Sequence, residues 1–217
     1  MQYYPIYLNL ENRRCVVIGG DRHAEEKVLG LLDAGASVTV IASRLNRKLE
    51  SLVKASRITA LRRDYRAGDL QGAFLVISAA MDPATNACVW EEATQRNLVV
   101  NCVDDVQHCD FIAPSIVRKG DLIVSISTSG VAPALAVRLR QRMATELGSE
   151  YGRFLELVQP LREELPRLYP AFQQRRAIWY QLVDSDILEL LRQGDEAAAR
   201  ARLHQIVHNG GGKEAAR

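Results

Sequence analysis

Residues 15–24 read Cys15-Val16-Val17-Ile18-Gly19-Gly20-Asp21-Arg22-His23-Ala24. The opening apolar run, three of its four residues β-branched, suits a strand buried on both faces. Gly19 and Gly20 end it. Residues 24–34 then place Ala24, Val28, Leu31 and Leu32 at helical spacing, and Gly35 is a helix stop. Strand, glycine turn and helix in that order are the first half of a β-α-β unit. Such a turn aims helix-start amides at an anion and is the usual seat of a dinucleotide's pyrophosphate.

The alternation continues downstream. Residues 37–41 are a β-branched strand, 46–55 a helix and 58–61 a short strand. Residues 73–77 are a buried strand, and a helix opened by Pro83 runs to about Arg96. Residues 98–101 close the series. Repeated β-α-β units predict a parallel sheet with helices on both faces and right-handed crossovers. The pattern then changes. Residues 115–118 and 122–127 flank Lys119-Gly120-Asp121, which predicts a hairpin. Ser129-Gly130-Val131-Ala132-Pro133 opens a helix to about Leu147. Residues 151–207 are nearly all helical, with breaks expected at Pro160, Pro166, Pro170 and Gly194.

The fold class is therefore α/β: a Rossmann-type parallel-sheet domain over 1–112, a small strand-strand-helix module over 113–148 and a helical domain over 149–208. Residues 209–217, with three consecutive glycines, are expected to be disordered. The middle module is too small to cover its own apolar face. It is expected to dimerise, two-fold symmetry being the commonest.

The chain has 217 residues, 47% hydrophobic and 25% charged, which is ordinary for a globular protein. A net charge of +2 gives no footprint for nucleic acid. No run of 18 apolar residues suggests a membrane span, and the first residues lack the layout of a signal peptide, so a cytoplasmic location is expected. The cysteines Cys15, Cys88, Cys102 and Cys109 form no CxxC pair and read as buried, reduced thiols.

The glycine turn departs from the G-x-G-x-x-G/A fingerprint at its centre. Gly19 takes the first position and Ala24 the last, but Asp21 stands where a glycine lets the backbone approach the pyrophosphate. A carboxylate there also opposes a diphosphate electrostatically. The expected cofactor-binding residues are Gly19, Gly20, Asp21, Arg22, His23 and Ala24. The acid that usually meets a ribose is missing after the second strand. Ser43 and Arg44 stand there instead, and Arg44 suits a 2′-phosphate.

Further motifs carry a family resemblance. They are Pro5-Ile6-Tyr7-Leu8-Asn9-Leu10, the 15–24 turn with Glu26-Lys27, and Asn101-Cys102-Val103-Asp104. Next come Phe111-Ile112-Ala113-Pro114-Ser115-Ile116-Val117, Ser127-Thr128-Ser129-Gly130-Val131-Ala132-Pro133-Ala134-Leu135-Ala136 and Arg175-Arg176-Ala177-Ile178-Trp179. Over residues 1–208 the chain resembles the dehydrogenase–ferrochelatase module of sirohaem synthases, a family that includes stand-alone precorrin-2 dehydrogenases. The resemblance implies oxidation of precorrin-2 to sirohydrochlorin with NAD. In many members it also implies insertion of ferrous iron, a substrate of the reaction. It makes Asp104, in the N-x-V-D segment, the catalytic residue. At Asp21 the family has a third glycine, and at Thr128 relatives often carry serine.

Asp104 is expected at the carboxyl edge of the sheet, where ligands of open α/β sheets bind and where a carboxylate can accept a proton. Asp105, His108, Cys109 and Asp110 crowd the same stretch, offering oxygen and nitrogen groups to a passing ferrous ion; none is assigned as a resident metal ligand. The tetrapyrrole carries eight carboxylates, so cationic and helix-start partners are expected. Ser127, Thr128, Ser129, Gly130 and Arg138 are the candidates, with Arg142 on the same helix face as Arg138. Arg118, Lys119, Arg140, Arg175 and Arg176 supply further charge. His204 and His208, four apart with no third ligand, read as surface residues. Two alternatives stand beside the dehydrogenase: a chelatase whose NAD loop is impaired by Asp21, and a non-catalytic tetrapyrrole binder.

Overall fold

The computed structural model describes residues 3–209. The chain divides into two compact units, Met1–Ala113 and Pro114–Arg217.

In the first unit, five strands form one parallel sheet: β1 (Arg14–Ile18), β2 (Ser37–Ile41), β3 (Thr59–Leu61), β4 (Leu75–Ser78) and β5 (Val99–Cys102). Their order is β3-β2-β1-β4-β5. The direction of winding therefore reverses between β1 and β4, and that crevice is where ligands of such sheets bind. Alternate strand residues feed two cores. Cys15, Val17, Val38, Val40, Leu75 and Ile77 pack on one face with Val28 and Leu31 of helix α1 (Arg22–Asp33) and Leu49 of α2 (Arg47–Lys54). Val16, Ile18, Ile41, Val76 and Val100 pack on the other with Val89 and Ala93 of α3 (Pro83–Gln95). Burial of both sheet faces is why these strands read as unbroken apolar runs.

Each of these helices is capped by a side chain at its start. Asp21, Asn46 and Asp82 accept from the amides of Ala24, Leu49 and Thr85.

In the second unit, β6 (Ser115–Lys119) and β7 (Leu122–Ile126) form the expected antiparallel hairpin, with Lys119 opposite Leu122. Helix α4 (Pro133–Glu146) packs on it yet buries only Ala136, and it exposes Leu135, Val137 and Leu139. Five helices follow: α5 (Glu150–Val158), α6 (Leu161–Leu168), α7 (Phe172–Val183), α8 (Ile187–Gln193) and α9 (Glu196–Asn209). They share a core of Phe154, Leu161, Leu165, Ile178, Leu182, Ile187 and Leu191. The hairpin tip meets this group closely. A Cβ on Gly120 would lie 3.2 Å from the Gly152 Cα.

Three expectations change. Pro166 lies inside α6 instead of breaking it. The proline removes the helical donor to the Arg162 carbonyl, and both residues are exposed. A break falls instead at 184–186, where Ser185 Oγ donates to the Leu182 carbonyl and accepts from the Ile187 amide. Cys88 is exposed, while Cys15 and Cys102 are buried and Cys109 half-buried. The expected tail disorder concerns residues outside those described, except Asn209, which closes α9. Among the described residues, no helix is long and apolar enough to cross a membrane.

Candidate functional site

The carboxyl ends of β1, β2 and β4 meet at the glycine turn. Gly19 donates from its amide to the Ile41 carbonyl (2.9 Å), and Ala79, just past β4, donates to the Ile18 carbonyl (2.7 Å). Gly19 has φ +121°, and a Cβ there would lie 2.6 Å from the Ala79 oxygen. Only glycine satisfies that conformation and that space. At Gly20 a Cβ would lie 1.9 Å from the Arg44 carbonyl oxygen, so the β1–α1 turn and the segment after β2 touch backbone to backbone.

Asp21 does not need glycine's freedom, because its φ of −92° is ordinary. Its carboxylate folds onto the first turn of α1 and accepts from the Ala24 amide at 3.0 Å. The sequence presents Asp21 as a side chain standing in the pyrophosphate's space; the structure gives it a job as N-cap. Among the described residues, the Arg22 and His23 amides have no acceptor. Two free helix-start amides at the switch point fit the diphosphate of a dinucleotide, and a third is held by Asp21. Ser43 and Arg44 are exposed beside this turn, and the Arg44 guanidinium has no acidic partner among the described residues.

Asn46 holds the two loops together, a role that residue type alone did not reveal. Its amide donates to the Gly20 carbonyl at 2.8 Å. Its side chain donates to the Asp21 carbonyl (3.1 Å) and Glu25 Oε2 (2.7 Å) while capping α2. The available signal was an Asn just before a helical period.

At the far end of the same sheet edge, Asp104 follows β5 by two residues. It is exposed, has φ +60°, and has no polar partner among the described residues. A non-glycine residue in the left-handed region is uncommon and marks a constrained turn. The turn is constrained from both sides. The Val103 amide donates to the Ser78 carbonyl at 2.8 Å and the Asp105 amide to the Cys102 carbonyl at 3.1 Å. A short 3-10 turn, Val106–His108, follows, and the chain then runs back against β5. Asp110 exchanges two bonds with Val100: its amide donates to the Val100 carbonyl (2.8 Å) and its Oδ2 accepts from the Val100 amide (3.0 Å). Asn101 Nδ2 donates to the Phe111 carbonyl at 2.8 Å.

Within this loop Asp105, not Asp104, is engaged. His108 Nδ1 donates to Asp105 Oδ2 at 2.7 Å, and the His108 ring lies 5.6 Å from that of Trp90. Cys109 Sγ donates to the Cys102 and Asp105 carbonyls (3.1 and 3.2 Å). Burial raises both neighbouring thiols, that of Cys102 to about 12, so they remain neutral at ordinary pH. Among the described residues, no group of three or more His, Cys, Asp or Glu could hold a metal ion.

In the second unit, residues 127–130 form a turn rather than a helix cap. Ser129 (φ +53°) and Gly130 (φ +80°) are both left-handed, and the Val131 amide donates to the Thr128 carbonyl at 3.0 Å. Ser127 Oγ accepts from the Ser129 amide and Thr128 Oγ1 from the Ala132 amide. Arg142 is paired with Glu146 at 2.8 Å, whereas Arg138 meets only Gln141, at 3.5 Å. The two arginines thus differ in their freedom to meet a ligand. Arg175 is tied to the Tyr169 and Pro170 carbonyls and lies over the Phe172 ring.

Two family models match the chain. One described as "Putative NAD(P)-binding" covers residues 6–115, and one described as "Sirohaem synthase dimerisation region" covers 150–207. A siroheme synthase of Photobacterium profundum is 36% identical over 96% of this chain and 45% of its own length. One of Methylobacillus flagellatus is 38% identical over 97% of this chain and 45% of its own. The chain thus spans a little under half the length of these relatives. Among solved structures, one titled "SirC, precorrin-2 dehydrogenase" has a TM-score of 0.78 at 22% identity, covering 94% of this chain and 98% of that one, which is a likeness of fold. With an NAD(P)-binding half and the sirohaem synthase region behind it, the chain belongs to the family of sirohaem synthase N-terminal modules.

Proposed function

We propose that this protein is an NAD-dependent precorrin-2 dehydrogenase, converting precorrin-2 to sirohydrochlorin. The observation that carries the reading is the pairing of two features on one sheet edge. One is a glycine turn with free helix-start amides at the switch point. The other is an exposed, unpartnered carboxylate, Asp104, held in a left-handed turn past β5. The relatives' name and the resemblance of the whole module support the substrate.

The turn residues Gly19 to Ala24 hold the diphosphate, with Ser43 and Arg44 toward a ribose. When bound, NAD supplies the hydride acceptor. Asp104 accepts the proton that leaves as the tetrapyrrole is oxidised. Its lack of a hydrogen-bond partner leaves both carboxylate oxygens available for that proton. Ser127, Thr128, Ser129, Gly130 and Arg138 are proposed to take substrate carboxylates, Arg138 by virtue of having no acidic partner.

A second activity follows from the same carboxylate. Insertion of ferrous iron, as substrate, requires two pyrrole protons to leave, and Asp104 suits their removal. The chain is further proposed to act as a cytoplasmic homodimer. Leu135, Val137 and Leu139 give α4 an exposed apolar surface, and the region described in the family as dimerising is 150–207. The division of the second unit into a 113–148 module and a 149–208 helical domain is part of this proposal.

The test is anaerobic oxidation of precorrin-2 followed by reduced-nicotinamide absorbance, comparing wild type with Asp104→Asn. The wild type turns over. The variant loses at least about a hundredfold in kcat, the usual contribution of a positioned acid or base, with an unchanged circular dichroism spectrum. Undiminished turnover by the variant removes Asp104 from the mechanism.

A further inference from the structure

We infer that Asp105 and His108 form a proton-relay dyad that takes the proton on from Asp104. The inference rests on the dehydrogenase reading and extends it to residues beyond Asp104.

The dyad is built rather than incidental. Asp105 Oδ2 receives His108 Nδ1 at 2.7 Å and lies 3.5 Å from Asn86 Nδ2. Asn86 is buried, and its Oδ1 accepts from Ser78 Oγ, also buried, at 2.7 Å. A chain of polar groups thus runs from the sheet interior, through α3, to the imidazole. Trp90, also on α3, flanks the ring. The loop carrying the pair is pinned at both ends by the Val103–Ser78 and Asp110–Val100 bonds, so dyad and Asp104 share one fixed segment, residues 104–108.

Geometry sets the tautomer. With Nδ1 donating to a carboxylate, neutral His108 presents an Nε2 lone pair, and Nε2 has no protein partner among the described residues. Asp105 then stabilises the imidazolium formed when Nε2 takes a proton, the role an orienting carboxylate plays in other acid–histidine pairs. The other groups around His108 are engaged or uncharged. From the loop and β5 come Asp110, already bonded to the Val100 amide, and the thiols of Cys102 and Cys109, which burial keeps protonated. From α3 come Trp90 and Asn86, both uncharged.

The step balances. A bound nicotinamide would supply the acceptor for one substrate hydrogen and its electron pair. A second hydrogen leaves as a proton to the Asp104 carboxylate. That proton passes across intervening water to His108 Nε2, and the imidazolium releases it to bulk solvent, restoring Asp104 for the next turnover. His108 acts through Asp104 and is a positioning and relay residue.

The experiment is the pH profile of kcat for wild type, His108→Gln, His108→Ala and Asp105→Asn, each checked for fold by circular dichroism. The expected result for both His108 variants is a kcat about tenfold or more lower, with KM for the tetrapyrrole unchanged. The profile changes shape, and added imidazole restores much of the His108→Ala rate. Asp105→Asn lowers kcat in the same direction. A His108→Gln enzyme with wild-type kcat and profile overturns the dyad while leaving the dehydrogenase standing. So does a loss that imidazole does not rescue. A wild type that shows no turnover in the same assay overturns the dehydrogenase reading and the dyad together.

Discussion

Asp21 shows how one side chain changes a loop's use without changing its fold. The residue expected there is glycine, whose virtue is its small size. Asp21 adopts an ordinary backbone and turns its carboxylate onto the Ala24 amide, a standard N-cap contact. Two effects follow from its removal, and they have opposite signs. Asp21→Ala loses the cap and destabilises the protein by about 1 kcal/mol, measured by urea unfolding. Asp21→Gly costs only a few tenths of that and frees a third amide for the diphosphate. A hydrogen bond to a charged group contributes about 1.5–3 kcal/mol, so NAD binding to Asp21→Gly tightens about tenfold or more. The sequence made the substitution visible. It did not show where the carboxylate goes, because capping depends on the rotamer and on the helix beginning one residue later, at Arg22.

At the scale of elements, the sheet was legible and the loops between its members were not. Unbroken runs such as 15–18 and 73–77 announce strands buried on two faces, and the structure places both inside the sheet. The 62–74 connection between β3 and β4 gave no such signal, since its order comes from side chains far along the chain. Glu92 of α3 is buried at 7% exposure and accepts from Tyr65 Oη, the Gly68 amide (2.9 Å) and Arg96 Nε (2.7 Å). Burial pushes its carboxyl up, but these three donors outweigh that and hold it below the usual range. Glu92→Ala leaves the Tyr65 hydroxyl and the Gly68 amide without an acceptor. The expected loss is about 2 kcal/mol, with faster hydrogen exchange in the 62–74 segment than elsewhere in the sheet domain. The hydrogen-bond chain Ser78–Asn86–Asp105–His108 was hidden for the same reason. Asp105 and His108 were legible as neighbours in sequence, but Asn86 and Ser78 join them only through the packing of α3 against β4 and β5.

At the scale of the whole molecule, two α-helical and α/β units carry a stability that the buried ionisable groups shape. Burial raises the thiol of Cys15 from about 9.0 to about 11 and that of Cys102 to about 12. A raised folded-state value stabilises the fold below the unfolded value and loses that contribution as pH rises through 11 and 12. Asp69, hydrogen-bonded by Arg63, and Glu92 are held low, so their contribution is present above the unfolded carboxyl values and is lost as pH falls through the depressed ones. Unfolding free energy measured against pH should therefore show a plateau through neutrality with declines on both sides. Cys15→Ala and Cys102→Ala, made singly, should each flatten the alkaline decline.

The β1–α1 turn is expected to receive a dinucleotide with Asp21 in place. Calorimetric titration of the wild-type protein with NAD, and NADP for comparison, reads this binding without any turnover. Saturable one-site binding in the micromolar range is expected for NAD, tightened in Asp21→Gly. No heat of binding up to millimolar NAD in either protein would contradict it.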